Sequence, residues 1–183
     1  MIRHSRLTLF VLATTPVLAF IGCQQIVRIP VEVPLNGGGG TFDVVAGGQP
    51  VQTVGGGTLP AAAANVGSGT MRIKPENVSF TPAGPAKGLV NLQAGSTITV
   101  TASVAGAEAV STVCDSPVDT YPPFTITLDA DSNVISISPD SITLESSTID
   151  ILNTGSFSFC LTAESGTLSG TLTVDALSFL VGL

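Results

Sequence analysis

The stretch S-T-I-T-V-T-A-S-V, residues 96–104, decides the fold class. Its apolar side chains, Ile98, Val100, Ala102 and Val104, alternate strictly with Thr and Ser. Successive side chains of a strand point to opposite faces. The alternation therefore predicts a strand with one face buried and the other covered with hydroxyl groups.

Similar runs continue along the chain on both sides of this stretch. The regular ones are F-T-I-T-L-D-A (124–130), V-I-S-I-S (134–138), S-F-S-F-C-L-T-A (156–163) and T-L-S-G-T-L-T-V-D-A (167–176), and the less regular ones are residues 71–80, 141–144 and 148–152. Turn-forming residues separate them, and no segment has helical periodicity. We predict an all-β domain over residues 70–183, an antiparallel Greek-key or immunoglobulin-like β-sandwich of about seven to nine strands, with a small barrel as the alternative.

The alternation slips near the end of the chain. Leu172 and Val174 share one parity, whereas Leu177, Phe179 and Val181 have the other. A bulge or a change of sheet near residue 176 would return these side chains to the core. We expect a paired last strand; an exposed apolar docking strand is the alternative.

Residues 23–69 resemble a linker in composition. Gly-rich runs recur, and Pro30 and Pro34 favour an extended path, so we predict a disordered Gly/Pro-rich spacer with a reach of roughly 35 to 40 Å. Residues 41–50 and 51–60 look like one unit used twice. These two units are either disordered or form a loose hairpin on the later domain.

The N-terminus has the layout of an export signal. Arg3 and Arg6 precede an apolar run over 7–21 that is short for a bilayer span. The run ends in F-I-G-C (20–23), which resembles the lipobox of bacterial lipoproteins. The resemblance implies a signal peptide over 1–22, acylation of Cys23 with palmitate-type chains, and attachment to the bacterial cell envelope. Gln24 after the cysteine then favours the outer membrane, facing the periplasm or the cell surface.

Composition excludes several chemistries. Without the leader, the cations are Arg28, Arg72, Lys74 and Lys87 against thirteen acidic residues, so nucleic-acid binding is not expected. The one histidine, His4, is lost with the leader. Catalysis by a histidine and histidine-bound metals therefore lack a required group, and we expect neither an enzyme nor a cofactor.

Two cysteines remain after lipidation, Cys114 and Cys160. In an oxidising compartment they are expected to form one disulfide. Because Phe157, Phe159 and Leu161 face the core, Cys160 should point to the outer face.

Two loops are candidate binding sites. Asp129, Asp131 and Asn133 match the start of a calcium loop, but Val134 stands where glycine is needed, so a hairpin turn is the favoured interpretation and calcium the weaker one. The loop 114–124 carries Asp115, Asp119 and Tyr121, and is either a recognition surface or a crossover between sheets.

The function predicted from the sequence is a lipid-anchored cell-envelope protein with a non-catalytic structural or binding role. Its partners would be the membrane, through the anchor, and an envelope protein or polysaccharide. The alternative is a calcium-dependent adhesion or carbohydrate-binding module.

Overall fold

The computed structural model describes residues 28–35, 40–61, 65–84 and 92–182. These residues form thirteen strands, the α-helix α1 and two single turns of 3₁₀ helix, Pro75–Asn77 and Ala107–Ala109. The strands are β1 (Arg28–Pro34), β2 (Thr41–Val44), β3 (Val51–Thr58), β4 (Ser68–Arg72), β5 (Val78–Pro82), β6 (Ser96–Gly106), β7 (Asp119–Thr120), β8 (Phe124–Leu128), β9 (Val134–Ser138), β10 (Ile142–Thr143), β11 (Ser156–Ser165), β12 (Gly170–Val174) and β13 (Ala176–Gly182). Helix α1 spans Ser146–Leu152.

The strands form three antiparallel sheets around one core, which confirms the predicted all-β sandwich. The six-stranded sheet has the order β3-β11-β6-β8-β9, with β7 beside β6. The four-stranded sheet has the order β1-β13-β4-β10, and the three-stranded sheet the order β2-β12-β5. Nine strands, β5 to β13, begin after Met71, within the number predicted for that part of the chain.

Aromatic side chains join the sheets in the core. The ring of Phe157 on β11 lies 5.6 Å from that of Phe179 on β13, edge to face, and 6.4 Å from that of Phe159. The largest fully buried side chains are Phe42, Phe124, Phe157, Phe159, Phe179, Met71, Ile98, Ile126, Leu128, Leu152, Leu161 and Leu168. Each such side chain stabilises the fold by about 1.5–3 kcal/mol through its removal from water.

The change of sheet predicted near residue 176 is confirmed. β12 ends at Val174 in the three-stranded sheet, and β13 begins at Ala176 in the four-stranded sheet. Between them Asp175 donates its N–H to Asn77 and accepts from Leu35 through its carbonyl. Phe179 is thereby buried, and β13 is paired on both sides, by β1 and β4.

The predicted spacer requires a correction, because its residues supply strands of the sandwich. β1 pairs with β13, β2 with β12 and β3 with β11. Residues 41–60 therefore do not form a hairpin with each other, since β2 and β3 belong to different sheets. In the described part of the chain the domain begins at Arg28, not at residue 70.

Cross-strand aromatic rings explain why a glycine run forms a strand here. Gly57 lies opposite Phe157, and Gly55 lies opposite Phe159. A Cβ atom on Gly57 would stand 2.6 Å from the Phe157 ring and 2.7 Å from Val33 Cγ1. The rings occupy the space that side chains on β3 would need, so glycine is required at both positions.

Helix α1 also departs from the prediction, which placed a strand over 148–152. Thr148, Ile149 and Leu152 are its buried residues, spaced as one helical face. Gly155, with φ of 87°, donates its N–H to the Leu152 carbonyl just after the helix. This left-handed residue ends the helix and turns the chain into β11.

Candidate functional site

The two cysteines lie at disulfide-bonding distance, as predicted. Their Sγ atoms are 2.09 Å apart and their Cα atoms 5.2 Å apart. Cys160 packs in a small cluster with Ala105 and Val113, separate from the main core. The bridge thus lies on the outer face of the six-stranded sheet, where it ties β11 to the loop that follows β6.

A chain of hydrogen bonds joins the 114–124 loop to helix α1. The backbone N–H of Glu145 donates to Tyr121 Oη at 3.2 Å, and this hydroxyl donates to Thr148 Oγ1 at 2.6 Å. Thr148 Oγ1 then donates to Asp119 Oδ2 at 2.6 Å, and Ser147 Oγ donates to the same oxygen. The hydroxyls of Tyr121 and Thr148 each act as both donor and acceptor, which strengthens the neighbouring hydrogen bonds.

This hydrogen-bonded chain is largely sealed from solvent. Thr148 is fully buried and Tyr121 is 4% exposed. Burial is the main cause of a raised pKa at Tyr121, and the negative charge of Asp119 adds to it. The loop links β6 to β8, which are neighbours in one sheet, so the alternative of a crossover between sheets is wrong. Two of its three polar candidates, Asp119 and Tyr121, hold the helix in place.

The candidate calcium loop is the turn between β8 and β9. Asp129 Oδ1 accepts from the N–H groups of Asp131 and Asn133, both at 2.8 Å, and Oδ2 accepts from Asn133 Nδ2 at 2.9 Å. These hydrogen bonds lower the pKa of Asp129. The hairpin interpretation is confirmed by the pairing of β8 with β9, and the turn is held together by its own donors.

The outer face of the six-stranded sheet carries an ordered array of hydroxyl groups, which we call the hydroxyl face. It consists of Thr97, Thr99, Thr101, Ser103, Thr120, Thr125, Thr127, Ser136, Ser138 and Thr162, none of which is buried. The residues lie in register: Thr99 is opposite Thr125, and Thr125 is opposite Ser138. Hydroxyl-bearing positions therefore repeat about every 4.8 Å across the strands and about every 7 Å along them.

The alternation in residues 96–104 already pointed to this face. The sequence did not reveal how many strands would contribute to it, because that depends on the pairing of β6 with β8 and β11. Ser103 Oγ and Thr120 Oγ1 hydrogen-bond at 2.9 Å, which extends the face to the short strand β7.

The outer face of the four-stranded sheet is different in chemistry. Glu32 on β1 lies opposite Ser178, which in turn lies opposite Arg72 on β4. Lys74 forms a salt bridge with Glu32, and this is the main cause of the lowered pKa of Glu32. Beside them is an open hollow of about 500 Å³ to which Glu76 and Asp140 also contribute.

Some predicted features lie outside the described residues, namely the signal peptide over 1–22, the lipid attachment residue Cys23, and Lys87. Among residues the structure does describe, no helix is long and apolar enough to cross a membrane. That same part of the chain holds no group of three or more His, Cys, Asp or Glu side chains arranged to bind a metal ion.

Comparison with known proteins found no matching family model, no matching curated protein and no matching solved structure.

Proposed function

We propose that this chain is a lipid-anchored cell-envelope protein with a non-catalytic binding or structural role. The leader and F-I-G-C motif support the anchor, with Cys23 as the acylated residue. Once the leader is removed, no histidine remains for acid–base or metal chemistry. The observation that carries the binding role is the hydroxyl face, a broad and ordered surface on a disulfide-bonded sandwich.

The chemistry of the hydroxyl face suits a hydroxyl-rich polymer. Ser and Thr hydroxyls each donate and accept hydrogen bonds, so an array of them matches the mixed donors and acceptors of a polysaccharide. Among the residues of β6 and β11 that lie opposite one another, only Glu164, opposite Thr99, carries a charge. An envelope polysaccharide is therefore the partner that we propose.

The anchor is tested by comparing the wild-type chain with the C23S variant in a bacterial host. The wild type should incorporate labelled palmitate and fractionate with membranes, and its N-terminal peptide should begin at an acylated Cys23. C23S should lose the label. C114S is the matched control, because it removes a different cysteine and should keep the label. Equal labelling of C23S and wild type would contradict the proposal.

The binding role is tested by co-sedimentation of the lipid-free C23S domain with purified insoluble cell-wall polysaccharide. T99R/T125R places two long side chains on neighbouring strands of the hydroxyl face and should abolish sedimentation. T143R, on the exposed face of the four-stranded sheet, is the control and should still sediment. Sedimentation that T99R/T125R leaves intact, or none with the parent domain, would refute this partner.

The calcium-dependent alternative makes a separate prediction. If Asp129, Asp131 and Asn133 bind calcium, calorimetric titration at millimolar calcium should release or absorb heat, and D129N should abolish the signal. Both oxygens of Asp129 already accept hydrogen bonds inside the turn, so a cation would have to replace them. We expect no calcium-dependent shift in thermal stability.

A further inference from the structure

The distance between the proposed anchor and the folded domain is short. Strand β1 begins at Arg28, only five residues after Cys23. Five residues span at most about 18 Å even when fully extended. This is half or less of the clearance that a disordered spacer over 23–69 would provide. An acylated Cys23 would therefore keep the start of β1 close to the bilayer.

Side chains at the start of β1 lie on the outer face of the four-stranded sheet. Val31 and Val33 point into the core, so Arg28, Pro30 and Glu32 lie on the opposite, outer face. Across the sheet these three residues lie opposite Gly182, Leu180 and Ser178 of β13. On the far side of β13, Thr70 of β4 lies opposite Leu180, and Arg72 lies opposite Ser178. We call this surface the basal face.

Positive charge in the described part of the chain is confined to the basal face. The three described cations are Arg28, Arg72 and Lys74; Arg28 and Arg72 are exposed, and neither forms a salt bridge among the described residues. Three acidic residues lie nearby: Glu32, paired with Lys74, and Glu76 and Asp140 around the adjoining hollow. This region is therefore neutral overall.

The rest of the described surface is acidic. All thirteen acidic residues fall within the described ranges, and ten of them lie outside the basal face and the adjoining hollow, with no described cation among them. Two of the ten border the four-stranded sheet: Asp175 directly precedes β13, and Asp150 lines a hollow beside Thr143. A bilayer containing anionic lipids repels such a surface within about a Debye length, which is 8–10 Å at physiological salt. The same lipids attract exposed Arg side chains. The basal face is the side of the domain that can approach the membrane without net repulsion.

We infer that the anchored protein lies with its basal face on the anionic headgroups of its own bilayer, and that the hydroxyl face points away. This inference rests on the proposed lipid anchor. The short connection to Cys23 and the placement of Arg28 and Arg72 carry it. The inner faces of the four-stranded and six-stranded sheets pack on each other through Phe179 and Phe157, so contact at the basal face leaves the hydroxyl face free for a partner.

The test measures which face lies near the headgroups. The lipidated full chain is labelled with a fluorophore at T143C, beside the basal face, or at T97C, on the hydroxyl face. Each protein is reconstituted into vesicles of phosphatidylcholine and phosphatidylglycerol that contain a headgroup-nitroxide lipid. We expect quenching of the label at residue 143 and unchanged emission at residue 97. Equal quenching, or the reverse order, would overturn the orientation.

Two variants with the same change of charge test the role of the arginines. R28Q/R72Q and Q52E/T58E each lower the net charge by two, but the second pair alters only exposed positions of β3, on the outer face of the six-stranded sheet. R28Q/R72Q should lose the quenching at residue 143, and Q52E/T58E should keep it. Full quenching in R28Q/R72Q would overturn the electrostatic contact.

Failure of the anchor and failure of the orientation give different results. The mass of the purified chain shows whether acyl chains are attached before any vesicle is made. An unmodified N-terminus would refute the proposed function, and the orientation with it. A fully acylated chain whose labels are quenched equally would refute the orientation alone.

Discussion

Replacing Gly57 by alanine tests whether the glycine-rich run is a packed strand. The new Cβ would stand 2.6 Å from the Phe157 ring and 2.7 Å from Val33 Cγ1. Ordinary carbon contacts are about 3.5–4.0 Å, so the methyl group overlaps both neighbours by roughly 1 Å. Phe157 cannot easily retreat, because its ring packs edge to face on Phe179.

The expected cost follows from two opposing effects. Overpacking of a well-packed core costs about 1–3 kcal/mol. Replacing glycine by alanine recovers about 0.4–1 kcal/mol, because the unfolded chain loses conformational freedom. We therefore expect G57A to lower the free energy of unfolding by about 1–2 kcal/mol, which shifts the urea midpoint down by roughly 0.5–1 M for an m-value near 2 kcal/mol/M.

The matched control is the neighbouring glycine. A Cβ on Gly56 would meet only the Phe157 carbonyl oxygen, at 3.5 Å. G56A should therefore be neutral or more stable than the wild type. Urea unfolding followed by far-ultraviolet circular dichroism compares the two variants directly. Equal stability of G57A and G56A would refute the packing of β3 on β11, and would favour the disordered spacer instead.

Four further predictions concern the loops and helix α1. The C114S/C160S variant should lose roughly 4 kcal/mol of stability on the chain-entropy model, since the bridge closes a loop of 46 residues; urea unfolding of the variant and of the oxidised wild type measures this. Tyr121 is the only tyrosine, so absorbance of its phenolate at alkaline pH should give a pKa above the usual value of about 10. The stability that the neutral phenol contributes should be fully present below about pH 10 and lost as the pH rises through the raised pKa. A midpoint at or below about 10 would contradict its burial. T148V should cost about 1–3 kcal/mol in the same unfolding assay, because it removes both hydrogen bonds of a buried hydroxyl, and a stability equal to that of the wild type would contradict them. The stability that ionised Asp129 contributes should be present above the usual pKa of an aspartate and lost as the pH falls through its lowered pKa. Nuclear magnetic resonance titration measures that pKa. Unfolding at several pH values should show that D129N flattens the acid dependence of stability.

The regular strands could be predicted because their own side chains reveal them. β6, β8 and β11 bury alternate apolar residues, and the phase slip near Asp175 marked the change of sheet. The disulfide partners followed from the number of cysteines, and the outer position of Cys160 from its parity with Phe159.

The strands of the first third of the domain could not be predicted in this way. On β3 the inward-facing positions opposite Phe157 and Phe159 are glycines, so the apolar side chains that would reveal the strand lie on β11, about a hundred residues later. β1 contains two prolines, Pro30 and Pro34, which are compatible with a strand here because β1 lies at the edge of its sheet.

The hydrogen-bonded chain from Tyr121 to Asp119 was missed for a different reason. It depends on Thr148 lying on a helix, and the run T-I-D-I-L fits a strand or a short helix equally well when read alone. Only the tertiary contacts with the loop and with β11 select the helix.

The pairing of the first three strands with the last three constrains how the chain folds. β1, β2 and β3 pair with β13, β12 and β11, in mirrored order. The first three strands therefore have no strand to pair with until the end of the domain has been synthesised. Such distant pairings close large loops and slow folding. A ribosome stalled before β11 would carry a nascent chain whose first three strands remain open to proteases.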